Sequence, residues 1–191
     1  MHKIFLIVGA PGTGKSTVAK ALAKKLGIDS VIGTDTIREI LRAAISKETC
    51  PTLHTSAILA CDMAPPGADK NIWGFIRQAE DVKPGIEAVI KRHLKENTSL
   101  VMEGIHLVPG IIENTNPESV IKIVLTADEA THKTRLLGQG SDRSSYKLAN
   151  FERARHFEKY LISQAKTSGC TVIHHDNLEN TLTAIIKSSG I

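Results

Sequence analysis

Residues 9–16 read GAPGTGKS and directly follow the apolar run IFLIV at residues 4–8. The octapeptide fits the pattern GxxxxGK(S/T) at every fixed position. A continuous apolar run that stops at a glycine is typical of a strand buried on both faces of a parallel sheet. Apolar side chains then recur at helical spacing from residue 18 to residue 26, and Gly27 is suited to end that helix. The sequence therefore predicts a phosphate-binding loop between a central strand and a helix.

This loop predicts the binding of a nucleoside triphosphate. Its glycines let successive backbone amides turn toward a β-phosphate, and the start of the helix adds partial positive charge. Lys15 can reach the β- and γ-phosphates, and the hydroxyl of Ser16 can ligate Mg²⁺. A chance turn rich in glycine and proline would leave the position between strand and helix unexplained. The predicted nucleotide-binding residues are Gly9, Pro11, Gly12, Thr13, Gly14, Lys15, Ser16 and Thr17.

Strand and helix patterns alternate along the rest of the chain. Residues 46–70 interrupt them with three of the seven prolines, which predicts a long irregular connection with a short helix around Ser56–Cys61. We predict an α/β protein with a three-layer P-loop NTPase fold, in which helices flank a five-stranded parallel sheet. The expected strands are Ile4–Val8, Ser30–Gly33, Ser99–Glu103, Val120–Leu125 and Thr171–His174. The main later helices are expected from about Val82, at Asp128–Leu137 and at Ala149–Ser168.

Length and composition limit the protein classes to consider. With 191 residues and 41% apolar side chains, the chain fits one domain, residues 1–191, with a small glycine-containing lid at about 138–148. The net charge of +4 mildly favours anionic ligands, but aromatic residues are only 4% and none clusters with lysines, so nucleic acid is not an expected partner. Three widely spaced cysteines predict neither disulfides nor a zinc site, and the first apolar run is too short to span a membrane. A reducing, cytoplasmic location fits best.

Acidic residues stand at the ends of two predicted strands, where ligands of open parallel sheets gather. Glu103 ends the third strand and could hold Mg²⁺ through a water molecule or orient an attacking group. Asp35 follows the second strand and could accept the proton of an acceptor hydroxyl, while Arg38 could bind an anionic group of the same substrate. The alternative is that Asp35 caps a helix and that Arg38 or Arg42 pairs with Glu39.

Further basic residues are candidates for the same site. His106 lies three positions after Glu103 and could hydrogen-bond an anionic substrate from a loop that Pro109 and Gly110 turn over the site. Arginines flank or follow the predicted lid, and such a lid would bring one of them onto the transferring phosphate while excluding water. The arginines are Arg135, Arg143, Arg153 and Arg155, and Arg135 and Arg143 are the predicted catalytic members with Lys15, Asp35 and Glu103.

Four segments together resemble the 2-phosphoglycerate kinases, a family of P-loop small-molecule kinases. They are GAPGTGKST at 9–17, GTDTIREILR at 33–42, LHTS at 53–56 and EGIHLVPG at 103–110. The resemblance implies a nucleoside-monophosphate-kinase-like fold and transfer of the γ-phosphate of ATP, with Mg²⁺, to the 3-hydroxyl of 2-phosphoglycerate. It also implies that Asp35, Arg38, His54, Glu103 and His106 surround this small anionic acceptor.

The sequence departs from the family pattern in two places. It begins directly at the first strand, whereas the archaeal members carry an extra amino-terminal domain, and Ala57-Ile58 stand where Ser-Tyr is expected. Other acceptors therefore stay open: another hydroxy acid, a polyol phosphate or a nucleotide. A nucleotide-binding switch and a nucleic-acid-end kinase are the alternatives of a different class.

Overall fold

A computed structural model describes residues 2–112, 119–137 and 150–190. Five strands form one parallel sheet in the order β2-β3-β1-β4-β5. The strand that precedes the glycine-rich loop therefore lies in the centre of the sheet, as predicted. The strands are β1 at Ile4–Val8, β2 at Val31–Gly33, β3 at Leu100–Glu103, β4 at Val120–Thr126 and β5 at Thr171–His174.

Helices cover both faces of this sheet. Those of the described residues are α1 at Lys15–Leu26, α2 at Thr34–Ala44, α3 at Ala57–Ala60, α4 at Trp73–Glu96, α5 at Glu129–Leu137, α6 at Phe151–Ala165 and α7 at Leu178–Ser188. Two short 3-10 helices, Pro51–His54 and Cys61–Met63, flank α3. The short helix predicted around Ser56–Cys61 is present as α3, whereas the two 3-10 helices beside it were not predicted. The three-layer α/β fold is confirmed.

The alternation of side chains along β1 divides the core between the two faces. Ile4, Leu6 and Val8 pack with apolar residues of α4 and α6, while Phe5 and Ile7 pack with those of α1 and α7. All five side chains are buried, which explains why this strand reads as an uninterrupted apolar run. The rings of Phe75 in α4 and Phe157 in α6 stack with centroids 4.2 Å apart, so these two helices also pack against each other.

One predicted boundary was wrong. The helix expected from about Val82 begins at Trp73 and continues through Pro84 to Glu96. Phe75 and Ala79 extend its buried face toward the amino terminus, at the same helical spacing as Val82. Because proline lacks an N–H, Pro84 removes one intrahelical hydrogen bond, yet the packing of that long face keeps the helix continuous.

The amino-terminal turn of α4 lies directly against α3. A Cβ atom placed on Gly74 would lie 2.2 Å from the backbone nitrogen of Cys61 and 2.5 Å from the carbonyl oxygen of Ala57. Only a residue without a side chain fits this contact between two backbones. Gly74 thereby fixes where α3 lies relative to α4, and both helices contribute to the cavity described below.

Part of the predicted architecture lies outside the described residues. The lid predicted at about 138–148 and Arg143 both belong to that part of the chain. The extent of the single domain, residues 1–191, stays a prediction. Among the helices in the described ranges, none combines the length and the apolar character needed to cross a membrane.

Replacing Gly74 by Ala tests the close approach of α3 and α4. Because the added methyl group meets backbone atoms, which cannot rotate away, we expect Gly74→Ala to lower the free energy of unfolding by about 2 kcal/mol or more. Urea unfolding measures this loss. The control is Lys91→Ala on the exposed side of α4, for which we expect a change below about 0.5 kcal/mol. Equal stabilities of the two variants would contradict the contact.

Candidate active site

The phosphate loop turns where its sequence places glycine. Gly12 and Gly14 have φ angles of 89° and 91°, in the left-handed region that side chains disfavour. Gly9 is required for a different reason, because a Cβ there would lie 2.6 Å from the carbonyl oxygen of Leu125 in β4. Gly14 is also the residue that precedes α1, so the turn leads straight into the amino terminus of a helix. Such a terminus is a favourable place for a phosphate.

Lys15 occupies the first position of α1 and is almost completely buried. Its Nζ donates a hydrogen bond to the carbonyl oxygen of Ala10 at 3.1 Å. Burial lowers the pKa of the Lys15 ammonium, and the nearby carboxylates of Glu103 and Asp35 oppose that effect. A phosphate group arriving at the loop would favour the charged lysine for the same electrostatic reason.

Ser16 and Glu103 lie in direct contact. The Ser16 hydroxyl donates to Glu103 Oε1 at 2.8 Å, although 87 positions separate the two residues. The pairing of β1 with β3 explains this, since Ile7 lies opposite Glu103 in the parallel register. A hydroxyl and a carboxylate are oxygen ligands of the kind that Mg²⁺ prefers. The two residues predicted to hold Mg²⁺ are therefore brought together, and their chemistry fits that ion.

Gly104 allows this strand end to approach its neighbour. A Cβ on Gly104 would lie 1.8 Å from the Oγ1 atom of Thr34 in α2. The Gly104 N–H donates to the carbonyl oxygen of Ile7 at 3.0 Å, which extends the β1–β3 ladder by one step. The glycine that follows Glu103 thus keeps the carboxylate beside the phosphate loop.

A cavity of about 390 Å³ opens beside the loop, at the carboxyl edge of the sheet. Its walls come from the phosphate loop, the start of α2, the region around α3, the start of α4 and the end of β3. The lining residues are Pro11, Gly12, Gly14, Lys15, Ser16, Thr17, Asp35, Arg38, Ser56, Ala57, Ile58, Phe75, Gln78, Glu103, Gly104 and Ile105. Asp35, Arg38 and Glu103 thus share one cavity with Lys15.

Asp35 and Arg38 differ in how free their side chains are. The side chain of Asp35 is 74% exposed, in the first turn of α2, and Gly33 rather than Asp35 is the capping residue. The side chain of Arg38 is only 14% exposed, and its Nη1 donates to the carbonyl oxygens of Leu53 and Thr55. Its Nε lies 3.7 Å from Asp35 Oδ1. Arg38 therefore ties α2 to the loop before α3 as well as lining the cavity.

The alternative pairings on α2 are also present. Arg38 Nη2 donates to Glu39 Oε1 at 2.5 Å, and Arg42 Nη1 lies 3.3 Å from Glu39 Oε2. The exposed Arg42–Glu39 pair contributes little, because both side chains are solvated. Part of the Arg38 guanidinium is thus paired with Glu39.

His106 is completely buried and bonded at both ring nitrogens. Its Nδ1 lies 2.7 Å from Thr34 Oγ1, and its Nε2 lies 3.0 Å from Gln78 Oε1. The amide nitrogen of Gln78 donates to the carbonyl oxygens of Thr52 and Thr55, so its oxygen faces the ring as an acceptor. The ring hydrogen is consequently on Nε2, and the Thr34 hydroxyl donates to Nδ1. Burial lowers the pKa of His106 to about 4, which keeps the ring neutral.

The structure does not bring every predicted residue to the cavity. His106 is buried behind its wall, and His54 Nε2 donates to the carbonyl oxygen of Ile45 at 2.8 Å. The loop expected to fold over the site is instead buried in the core, since Leu107 and Val108 pack there. Arg135 donates to the carbonyl oxygens of Thr13, His175 and Asp176 and is not among the residues that line the cavity.

Two buried residues contribute to the site without having been predicted. Gln78 connects His106 to the loop that precedes α3, and His132 contacts the phosphate loop itself at the Pro11 carbonyl. Gln78 is spaced three and four residues from buried Phe75 and Val82, so a polar residue on an apolar face was the signal available in the sequence. His132 offered no comparable signal, because its partners are distant in the chain.

The parallel sheet, its strand order and the glycine-rich loop at its carboxyl edge define a P-loop nucleotide-binding protein. The chain belongs to the AAA domain family, since the model of that family matches residues 5–157. This match covers all the residues of the candidate site described above.

Curated relatives resemble nearly all of this chain. The 2-phosphoglycerate kinase of Thermococcus kodakarensis is 37% identical over 95% of the chain, and that of Methanocaldococcus jannaschii is 39% identical over 94%. The chain spans 64% of the length of the first relative and 60% of the second.

Solved structures share the fold at low identity. A gluconokinase from Sinorhizobium meliloti 1021 superposes with a TM-score of 0.56 at 15% identity and covers 98% of this chain and 94% of its own. A protein from Eubacterium ventriosum superposes with a TM-score of 0.58 at 18% identity, covering 100% of this chain and 99% of its own. At these identities the likeness supports the three-layer fold alone.

The buried neutral state of His106 predicts a pH dependence of stability. In the unfolded chain its ring takes up a proton near its ordinary pKa of 6.5, whereas in the folded protein it does so only near 4. Between these values the unfolded state binds more protons, so the free energy of unfolding falls as the pH falls. We expect wild type to lose up to about 3 kcal/mol more than His106→Asn between about pH 7 and pH 4.

Urea unfolding of both proteins across this range measures the difference in slope. The other histidines with a lowered pKa are present in both proteins, so the comparison isolates His106. Parallel pH profiles for wild type and variant would show that the ring is not held neutral by burial.

Proposed function

We propose that this protein is an ATP-dependent kinase that phosphorylates a hydroxyl group of a small anionic acceptor, 2-phosphoglycerate, to give 2,3-bisphosphoglycerate. The observation that carries the proposal is the contact between Ser16 and Glu103 in a cavity that also contains Lys15 and Asp35. It combines a phosphate loop, oxygen ligands for Mg²⁺ and an exposed carboxylate in one place. The names of the curated relatives support the choice of acceptor.

The phosphate loop would hold the triphosphate of ATP. Its backbone amides and the start of α1 offer donors and partial positive charge to the β-phosphate. Lys15, which contacts the carbonyl oxygen of Ala10 in the structure, would exchange that partner for a phosphate oxygen. Ser16 and Glu103 are the residues that would hold Mg²⁺, which when bound neutralises charge on the phosphate oxygens.

Asp35 is the residue best suited to the acceptor hydroxyl. Its carboxylate is exposed and lines the same cavity as Lys15. In the proposed step the bond between the γ-phosphorus and the bridging oxygen breaks, and a bond from the acceptor oxygen to that phosphorus forms. The hydroxyl proton passes to the Asp35 carboxylate, which also orients the hydroxyl for attack.

Arg38 would supply positive charge on the acceptor side. Because two carbonyl oxygens hold its Nη1, its guanidinium is fixed in position beside Asp35. A guanidinium fixed in this way loses little entropy when an anion binds. His54 and His106 would support this wall from behind rather than contact the acceptor. The roles of Arg135 and Arg143 at the transferring phosphate remain predictions.

A panel of acceptors tests the proposal. Purified protein with Mg-ATP is offered 2-phosphoglycerate, 3-phosphoglycerate, glycerate, gluconate and AMP, and ADP release is measured together with product mass. We expect the largest kcat/KM for 2-phosphoglycerate, with a product one phosphoryl group heavier. Lys15→Ala is the control, and we expect it to abolish turnover because it removes the charge at the β- and γ-phosphates.

Two results would contradict the assignment in different ways. ADP release from another acceptor alone would replace 2-phosphoglycerate and keep the kinase. Turnover by Lys15→Ala equal to wild type would remove the phosphate loop from the reaction.

Replacing Asp35 by Asn tests its role separately from nucleotide binding. The substitution keeps the shape of the side chain and removes its capacity to accept a proton. We expect kcat to fall at least about a hundredfold, with the affinity for ATP within about threefold of wild type. Asp29→Asn is the matched control, because Asp29 precedes β2 at the opposite edge of the sheet. A loss of ATP affinity as large as the loss of kcat would exclude Asp35 as an acceptor-side residue.

A further inference from the structure

One face of α5 contacts three successive residues of the phosphate loop. His132 Nε2 lies 2.6 Å from the carbonyl oxygen of Pro11, and Arg135 Nη1 donates to that of Thr13 at 3.4 Å. Between them, a Cβ on Gly12 would lie 3.0 Å from Leu136 Cδ1 and 3.2 Å from His132 Cδ2. The spacing of three and four residues places these α5 side chains together on the helix surface.

The hydrogen bonds of His132 define its protonation. The carbonyl oxygen of Pro11 can only accept, so Nε2 carries the ring hydrogen. Arg155 Nη1 lies 3.3 Å from Nδ1, and Glu158 Oε2 lies 3.8 Å from the same atom. Burial lowers the pKa of His132, which favours the neutral ring with its hydrogen on Nε2.

A buried network fixes the orientation of this ring. Arg155 forms an ion pair with Glu158, whose side chain is 2% exposed. The backbone of Ala127, just after β4, holds both members: its N–H donates to Glu158 Oε1 at 2.9 Å, and its carbonyl accepts from Arg155 Nη1 at 3.0 Å. His132 thus lies between a rigid strand end and the phosphate loop.

The bond to Pro11 also determines where the next amide points. The Pro11 carbonyl and the Gly12 N–H belong to the same peptide unit, which is trans, so the two groups point in opposite directions. With the carbonyl held against His132, the Gly12 N–H is directed away from that ring, and Gly12 itself lines the cavity. A free peptide flanked by a left-handed glycine could rotate and lose that direction.

We propose that His132 is a positioning residue for triphosphate binding, which acts by holding the Pro11–Gly12 peptide so that its N–H faces the phosphate. The inference rests on the nucleotide half of the proposed function and not on the identity of the acceptor. A histidine that only filled space in the core would affect stability, and it would not affect nucleotide affinity selectively.

Three substitutions of His132 separate these roles. His132→Leu removes the donor at similar volume. His132→Gln places an amide nitrogen near the position of Nε2 and can keep the bond, whereas the shorter His132→Asn cannot reach Pro11. His93→Leu is the control, because His93 is bonded to Ser30 and Thr98 at the opposite edge of the sheet.

Calorimetric titration with Mg²⁺ and the non-hydrolysable analogue AMP-PNP measures nucleotide affinity. We expect His132→Leu and His132→Asn to bind about tenfold to a hundredfold more weakly than wild type, the range for one hydrogen bond to a charged group. We expect His132→Gln and His93→Leu to bind within about threefold of wild type, and the KM for 2-phosphoglycerate to stay constant throughout.

The outcomes distinguish failure of the inference from failure of the proposed function. Folded His132→Leu with wild-type affinity would overturn the inference. If His132→Leu does not fold, equal affinities of folded His132→Gln and His132→Asn would overturn it instead. Wild type that does not bind AMP-PNP would overturn both the inference and the nucleotide-binding function, whereas the acceptor panel tests the acceptor alone.

Discussion

The register between β1 and β3 is the constraint on which the candidate site depends. It places Ile7 opposite Glu103, and one further ladder bond joins the Gly104 N–H to the Ile7 carbonyl. Because β1 leads into the phosphate loop, this register brings the Glu103 carboxylate within hydrogen-bonding distance of Ser16. A shift of one residue would point the Glu103 side chain to the other face of the sheet.

Behind the acceptor side of the cavity, polar side chains hold the segment that precedes α3. This segment consists of the 3-10 helix Pro51–His54 and Thr55, and its buried carbonyl groups need partners. Gln78 and Arg38 donate to them, and His106 in turn holds Gln78. Arg38, Gln78 and His106 all form hydrogen bonds with other protein groups. These bonds make this wall of the cavity rigid before any ligand binds.

The sequence was sufficient for those parts of the protein that rest on local patterns. Strand β1, the phosphate loop and the approach of Glu103 to Ser16 follow from hydrophobic runs, glycine positions and the rule that parallel strands end at one edge. The roles of His106 and His132 were not predictable in this way. Their partners lie 72 and 121 positions away, and whether such a ring meets solvent, substrate or protein depends on packing between elements. The start of α4 at Trp73 was missed for the same reason, since close contact with α3 rather than an evident capping residue accompanies it.

The charges around Lys15 matter for the proposed phosphoryl transfer. Lys15 is buried, and burial alone would favour its neutral form, whereas Glu103 and Asp35 favour the ammonium. The two carboxylates that favour the charged lysine are also the proposed ligand of Mg²⁺ and the proposed proton acceptor. When a triphosphate arrives, its oxygens can replace the Ala10 carbonyl as the partner of the Lys15 ammonium. Preorganised groups of this kind stabilise charge in a transition state at little reorganisation cost. The hydrogen bonds that hold Arg38 and the network that holds Pro11 contribute to this preorganisation, because they fix the donors in place before the ligands bind.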